Sequence, residues 1–340
     1  MPADADATPV RDEREHARKV FRAMLEARQL ETKLSSMYKA GKIVGGVYLG
    51  KGQEAVSASL GGGLNWGTDV FAPLIRDQAG RSAFGEDMLD CTRTYLGSSL
   101  GPMHGRDGNI HRGRPKEGLL AMISHLGASV PVVAGVLLSR RLQGKLDGVV
   151  GATCIGDGGT STGAFHEGLN AAAVERLPMV VVVANNQFAY STPNDRQFAC
   201  GDLLDRAVGY GVEGSSVDGT DFLDCLRVIG GAIDRARSGA GPQMVVARLL
   251  RLSGHGEHDD ASYVPDKLRA GGLGRDCMQV AAAQMIETGY ATEGEISDWQ
   301  TEVEDAVQLA IATAQQEPPP DPWKERWDAR STKLSMVTEA

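Results

Sequence analysis

Val149-Val150-Gly151-Ala152-Thr153-Cys154-Ile155-Gly156-Asp157-Gly158-Gly159 begins as an apolar, β-branched run and ends on glycines around a single carboxylate. The run Val149 to Ile155 has the length and composition of a strand buried on both faces, since it does not alternate with polar residues. A glycine-rich turn, Gly156 to Gly163, leads into a helical stretch ending at Leu177, and Pro178 stops it before a second apolar run, Met179 to Ala184. Strand, helix, strand in this order predicts a parallel sheet covered by helices on both faces, an α/β fold. A third strand, Met244 to Leu250, follows a helix predicted over Phe222 to Arg237.

The same stretch carries the chemistry. Asp157 stands just past the first strand and Asn186 just past the second, so in a parallel unit both sit at the carboxyl edge where open α/β sheets bind ligands. One carboxylate and one amide oxygen are hard ligands suited to Mg2+, a cation usually held by few protein groups plus phosphate oxygens. Gly158 and Gly159 carry no side chain to block a phosphate, and their N–H groups are expected to open the following helix, whose N-terminus favours an anion. The residues thus point to a bound diphosphate with its metal.

Outward from this centre, Asp12 with Glu15 reads as a capping box for a first helix, predicted over residues 12–41. Val20, Met24, Leu30, Leu34 and Met37 recur along it at near-helical spacing, and Gly41 ends it. From Gly45 to about Arg114, glycine and proline break the pattern into mixed helix and loop. Helices return over residues 276–316, as Cys277 to Thr288 and Glu295 to Gln315, and Pro318 to Pro320 cut off a tail over 317–340. With no internal repeat and no linker, residues 1–330 read as one domain.

Composition narrows the function classes. A formal net charge of −9 argues against nucleic acid as the main partner, because that binding rests on Lys and Arg. The five cysteines are scattered, without a CxxC pair, which suggests neither a disulfide framework nor a zinc site. Residues Met1 to Arg18 are polar and acidic, unlike a signal or transit peptide, and no apolar run approaches a membrane span. A cytoplasmic protein is expected.

Gly156-Asp157-Gly158 with Asn170 and Asn185-Asn186 resembles the thiamine diphosphate fingerprint. Gly52-Gln53-Glu54-Ala55, Phe165-His166-Glu167-Gly168-Leu169-Asn170-Ala171-Ala172, Ala189-Tyr190-Ser191-Thr192-Pro193 and Val217-Asp218-Gly219-Thr220-Asp221 are similar to segments of the alpha subunits of 2-oxo acid dehydrogenase decarboxylating components. The resemblance spans roughly residues 30–265. It implies that Asp157, Asn186 and the Phe188 carbonyl hold Mg2+, that Gly156, Gly158 and Gly159 line the diphosphate, and that Arg76 binds it. It further implies that the Ser124 backbone meets the aminopyrimidine and that Leu126 supports the bent cofactor. His255 would lie near the cofactor and assist acyl transfer to a lipoyl group, and His111 is a second candidate catalytic histidine because imidazole titrates near working pH. A beta subunit would complete the site in an α2β2 heterotetramer, passing the acyl group to a lipoyl-bearing acyltransferase. Tyr48 and Ile75 replace a histidine and a tyrosine common in pyruvate-type members, and Gln78 replaces a further histidine. The substrate therefore stays open among pyruvate, a branched-chain 2-oxo acid and acetoin. Gly256 replaces the serine that mitochondrial relatives phosphorylate.

Two other site readings compete, besides that of a non-catalytic scaffold. Gly159-Thr160-Ser161-Thr162-Gly163 matches G-x-S-x-G, with Asp218 or Asp221 and His255 following in hydrolase order, which would make Ser161 a nucleophile. That reading leaves Asp157, Asn185 and Asn186 without a role. A dinucleotide site fits less well, because no third glycine follows at the fingerprint spacing and Asp157 would repel a pyrophosphate lacking a metal.

Overall fold

The computed structural model describes residues 12–324; the predicted N-terminal start before Asp12 and the tail beyond residue 324 lie outside the described residues. Five parallel strands form the sheet: β1 (Val70–Ala72), β2 (Gly151–Gly156), β3 (Met179–Asn185), β6 (Glu213–Asp218) and β7 (Gln243–Arg248), in the spatial order β1-β2-β3-β7-β6. A short antiparallel ribbon, β4 (Phe188–Ala189) with β5 (Thr192–Pro193), follows β3.

The helices before β2 are α1 (Glu13–Lys39), α2 (Glu54–Gly63), α3 (Gln78–Phe84), α4 (Met88–Leu96) and α5 (Ser129–Leu142). After it come α6 (Gly163–Val174), α7 (Leu204–Gly209), α8 (Phe222–Arg237) and α9 (Asp266–Arg269), and α10 (Cys277–Glu287) and α11 (Glu293–Gln316) close the fold. None of the described helices is long and apolar enough to cross a membrane.

The strand alternation divides the core. Ala152, Cys154, Val180, Val182, Val245 and Ala247 face one layer with α1, α2, α8, α10 and α11. Ile155, Met179, Val181, Val183, Met244 and Val246 face the other with α5, α6 and α7. Val180 to Val183 are all 0% exposed, and burying a side chain of this kind is worth about 1.5–3 kcal/mol relative to leaving it in water. Burial on both faces explains why β2, β3 and β7 read as unbroken apolar runs. Crossing from β2 to β3, the chain packs α6 on one face; crossing the opposite way from β6 to β7, it packs α8 on the other. Right-handed crossovers require this switch of face, and the crevice of such a sheet opens at the carboxyl ends where the direction reverses.

Several expectations need correction. Asp12 does cap α1, accepting from the Arg14 and Glu15 amides, but Glu15 lies toward Arg18 instead of completing the box. The reciprocal box is at α11, where the Thr292 side chain accepts from the Glu295 amide and Glu295 accepts from the Thr292 amide. That helix therefore begins at Glu293. The amides of Gly158 and Gly159 do not open α6: they belong to a single 3-10 turn, Gly158–Ser161, and α6 starts at Gly163 because Thr162 caps the Phe165 amide. Gly45 to Arg114 contains a strand, β1, besides helix and loop.

Candidate active site

A cavity of about 360 Å3 opens at the carboxyl ends of β1, β2, β3 and β7. β1 feeds Leu74, Ile75 and Arg76 into it, β2 feeds Gly156 to Gly159, β3 feeds Asn186 and then Phe188 to Tyr190, and β7 feeds Arg251. His255 and Leu126 complete the wall. Of the residues expected to act together, Arg76, Leu126, Gly156, Asp157, Gly158, Gly159, Asn186, Phe188 and His255 all line this cavity.

Parallel pairing of Gly156 with Ala184 sets Asp157 beside Asn186. Asp157 is 2% exposed and its Oδ1 accepts from the Gly158 amide at 2.8 Å, while the buried Oδ2 has no hydrogen-bond partner among the described residues. The Gln187 amide and the Gln197 side chain come near and ease the charge slightly, without a normal hydrogen bond to Oδ2. Burial pushes this carboxyl up to about 6, against the Gly158 amide and Arg251, which both pull it down. An orphaned oxygen of this kind is costly unless a cation occupies it. Asn186 donates from Nδ2 to Gln53 Oε1 at 2.8 Å, which fixes the amide and leaves Oδ1 with only a long contact from the Phe188 amide, 3.4 Å. Phe188 is held between Gln187 and Tyr190, both with positive φ (76° and 54°); such residues cost of order 1–3 kcal/mol each and persist where a site fixes the backbone. No group of three His, Cys, Asp or Glu able to hold a metal exists among the described residues. A divalent ion at Asp157 and Asn186 would need further oxygen ligands from a bound anion, the usual situation of Mg2+.

Glycine is dictated at two of these positions by close packing within the protein itself. A Cβ on Gly159 would stand 2.7 Å from Ile155 Cγ1, and one on Gly158 would run into the Ala189 side chain.

Two arginines supply the positive charge, and the sequence pointed to only one. Arg76 is 7% exposed and donates to the carbonyls of Leu49 (2.8 Å) and His255 (2.6 Å). Arg251 is 3% exposed and donates to the Ser253 and Tyr190 carbonyls and the Tyr263 hydroxyl. Neither forms an ion pair with a carboxylate among the described residues. Glu31, the acid nearest Arg76 in effect, is pushed up to about 8 by burial and by Glu54, so it contributes little negative charge at neutral pH. Burial and the Arg251 charge lower Arg76 to about 10, which still leaves it protonated. Two buried, uncompensated guanidinium groups call for an anion. Arg251 could have been found from its place three residues past the end of β7, at the same edge as Asp157.

His255 is pushed down to about 4 by burial, Arg76 and Arg251, so it is a neutral imidazole at working pH. Tyr190 lies against it with ring centroids 4.5 Å apart, and Tyr48 meets it edge-on at 5.6 Å. Asp259 fixes the loop beneath, accepting from the His255 amide and the Tyr263 hydroxyl. Of the other departures, Ile75 lines the cavity, whereas Gln78 is turned away and accepts from Arg112 Nη2 at 2.7 Å. Leu126, which pattern alone would assign to the core, is 52% exposed on the cavity wall. Ser124 and His111 lie outside the lining and are bonded to each other, Ser124 Oγ to His111 Nε2, at 2.6 Å.

The hydrolase alternative fails on geometry. Ser161 Oγ donates to the Gln197 carbonyl at 3.1 Å and accepts from Arg206, with no histidine in reach. Asp218 binds Thr220 and Arg275, and Asp221 caps α8.

A parallel α/β protein with an anion pocket at its carboxyl edge, where one orphaned carboxylate oxygen sits among two buried arginines, is thus the class that fold and site define. The sequence profile of the dehydrogenase E1 component family matches residues 22–323, and the chain belongs to that family. It is 33% identical over 323 residues to the alpha subunit of acetoin:2,6-dichlorophenolindophenol oxidoreductase from Cupriavidus necator, covering 94% of this chain and 95% of the relative. It is also 33% identical over 246 residues to the 2-oxoisovalerate dehydrogenase alpha subunit of Bacillus subtilis, covering 72% and 74%. The pyruvate dehydrogenase E1 component alpha subunit of Rhizobium meliloti is 30% identical over 304 residues, 89% of this chain and 86% of that one.

Proposed function

We propose that the chain binds thiamine diphosphate and Mg2+ and works with a beta subunit as the alpha half of a 2-oxo acid dehydrogenase decarboxylating component. The observation that carries this reading is the orphaned Asp157 Oδ2 beside two arginines without acidic partners, a donor set that fits a diphosphate carrying a divalent cation. When bound, the cofactor's thiazolium supplies a place for the electrons left as a 2-oxo acid loses carbon dioxide, chemistry that no side chain offers.

Asp157, Asn186 Oδ1 and the Phe188 carbonyl would hold the metal, with Gln53 keeping the Asn186 oxygen turned inward. Arg76 and Arg251 would take the diphosphate charge, with Gly156, Gly158 and Gly159 lying against it. Leu126 and Ile155 form an apolar wall that keeps water from the reacting end, and the Ser124 backbone would meet the aminopyrimidine. His255 is neutral and its Nδ1 lies 3.5 Å from Arg76 Nη2, a donor, so Nε2 would carry the ring proton and donate it toward a reacting group.

The cavity supplies no buried acid free to act on the aminopyrimidine: Asp157 belongs to the metal, and Asp77 accepts from the Leu74 amide. A beta subunit would contribute that group in an α2β2 assembly, and a lipoyl-bearing acyltransferase would receive the acyl product. The names of the relatives, acetoin, 2-oxoisovalerate and pyruvate enzymes, bracket the substrate class. The test measures 2-oxo acid and acetoin turnover with an artificial electron acceptor, for this chain alone and with a beta subunit. Turnover only in the pair is expected; full turnover by the chain alone would overturn the shared site.

A further inference from the structure

Just before Leu126 of the cavity wall, and outside the cavity lining, three side chains form a chain that the proposed reaction does not require. His111 Nε2 lies 2.6 Å from Ser124 Oγ, and His111 Nδ1 lies 2.8 Å from Asp107 Oδ2. Asp107 is itself fixed by the Asn109 amide on its other oxygen, at 2.9 Å. In the neutral tautomer whose Nδ1–H donates to Asp107 Oδ2, Nε2 is the acceptor of the Ser124 hydroxyl proton. This is the order of nucleophile, base and orienting acid, recognised by geometry and not by sequence position.

The surroundings agree. Ser124 is exposed, so an acyl donor can reach it. The backbone amides of His125 and Leu126, which directly follow it, make no hydrogen bond among the described residues, and such amides are what a developing oxyanion needs. Leu126 begins the apolar wall of the cavity, two residues from the hydroxyl. Ser161, by contrast, has the motif and lacks the base.

We propose that Ser124 is a nucleophilic serine, activated by His111 and oriented through it by Asp107, that takes acyl groups from short esters and thioesters. Ser124 Oγ bonds to the acyl carbon as its proton passes to His111 Nε2. The proton then moves to the departing alkoxide or thiolate as the C–O or C–S bond breaks. Water, giving a proton to His111, attacks the acyl-serine and releases the acid with Ser124 restored. No redox partner, metal or cofactor enters, so the proposal stands apart from the thiamine reading and is tested without it.

The experiment treats the purified full chain, without thiamine diphosphate or beta subunit, with a fluorophosphonate and with p-nitrophenyl acetate, and maps the adduct by peptide mass. A stoichiometric adduct on Ser124 is expected, absent in Ser124→Ala and slowed about a hundred-fold or more in His111→Gln, with a smaller loss in Asp107→Asn. Circular dichroism checks that each variant is folded. Ser124→Cys supplies an independent reading: its thiol should alkylate with iodoacetamide faster than the native cysteine Cys200, and His111→Gln should remove that advantage. An adduct elsewhere, no adduct at all, or a rate indifferent to His111 overturns the proposal.

Discussion

Replacing Asp157 by Asn should make the metal-free protein more stable while destroying its response to Mg2+. Asn keeps an oxygen for the Gly158 amide but removes a charge that burial disfavours. A carboxyl held at about 6 against the ordinary 3.8 corresponds to about 3 kcal/mol of stability forgone once the group is ionised. The sign follows from the direction: the folded pKa lies above the unfolded one, so stability is highest with the acid protonated. The penalty is absent below about pH 4, grows as pH rises through 6, and is complete above it. Asp157→Asn should therefore raise the melting temperature by roughly 5 °C at pH 8 in EDTA and match the parent at pH 4. Adding Mg2+ with thiamine diphosphate should stabilise the parent and leave the variant unmoved. Differential scanning fluorimetry at the two pH values reads all of this. A variant that melts at or below the parent at pH 8, or that still responds to Mg2+, would refute the reasoning.

Arg76→Ala and Arg251→Ala should each weaken diphosphate binding by about ten- to a hundred-fold, the scale of a lost charge-assisted hydrogen bond; titration with inorganic pyrophosphate and Mg2+ measures it, and an unchanged affinity for Arg251→Ala would remove that residue from the site. The segment Ser253 to Pro265, pinned by Asp259 and by Glu257 against Ser35, should gain hydrogen-exchange protection on adding thiamine diphosphate with Mg2+; equal protection in both states would count against a loop that responds to the cofactor.

The elements legible in the sequence are those whose burial is uniform. β2, β3 and β7 are legible because both faces are covered, and α8 is legible from Phe222 to Arg237 because one stripe of it is buried. β6 is not legible, because Glu213-Gly214-Ser215-Ser216-Val217-Asp218 lies at the sheet edge, is largely exposed, and has no apolar run to show. β1, only Val70–Ala72, is too short to carry a pattern. Asp157 and Asn186 were legible because the ends of adjacent parallel strands must meet. Arg251 and Gln53 were not, since their roles depend on which loops converge over that edge. The Ser124–His111–Asp107 chain is equally hidden, because only the fold of two loops brings the Ser124 hydroxyl to His111.

The central claim is that this chain alone anchors the diphosphate through a metal. Isothermal titration of thiamine diphosphate into the purified chain, with Mg2+ and again with EDTA, tests it most directly. Saturable binding near one per chain with Mg2+, lost in EDTA, is the result predicted; no binding, or binding of equal strength in EDTA, would contradict the account.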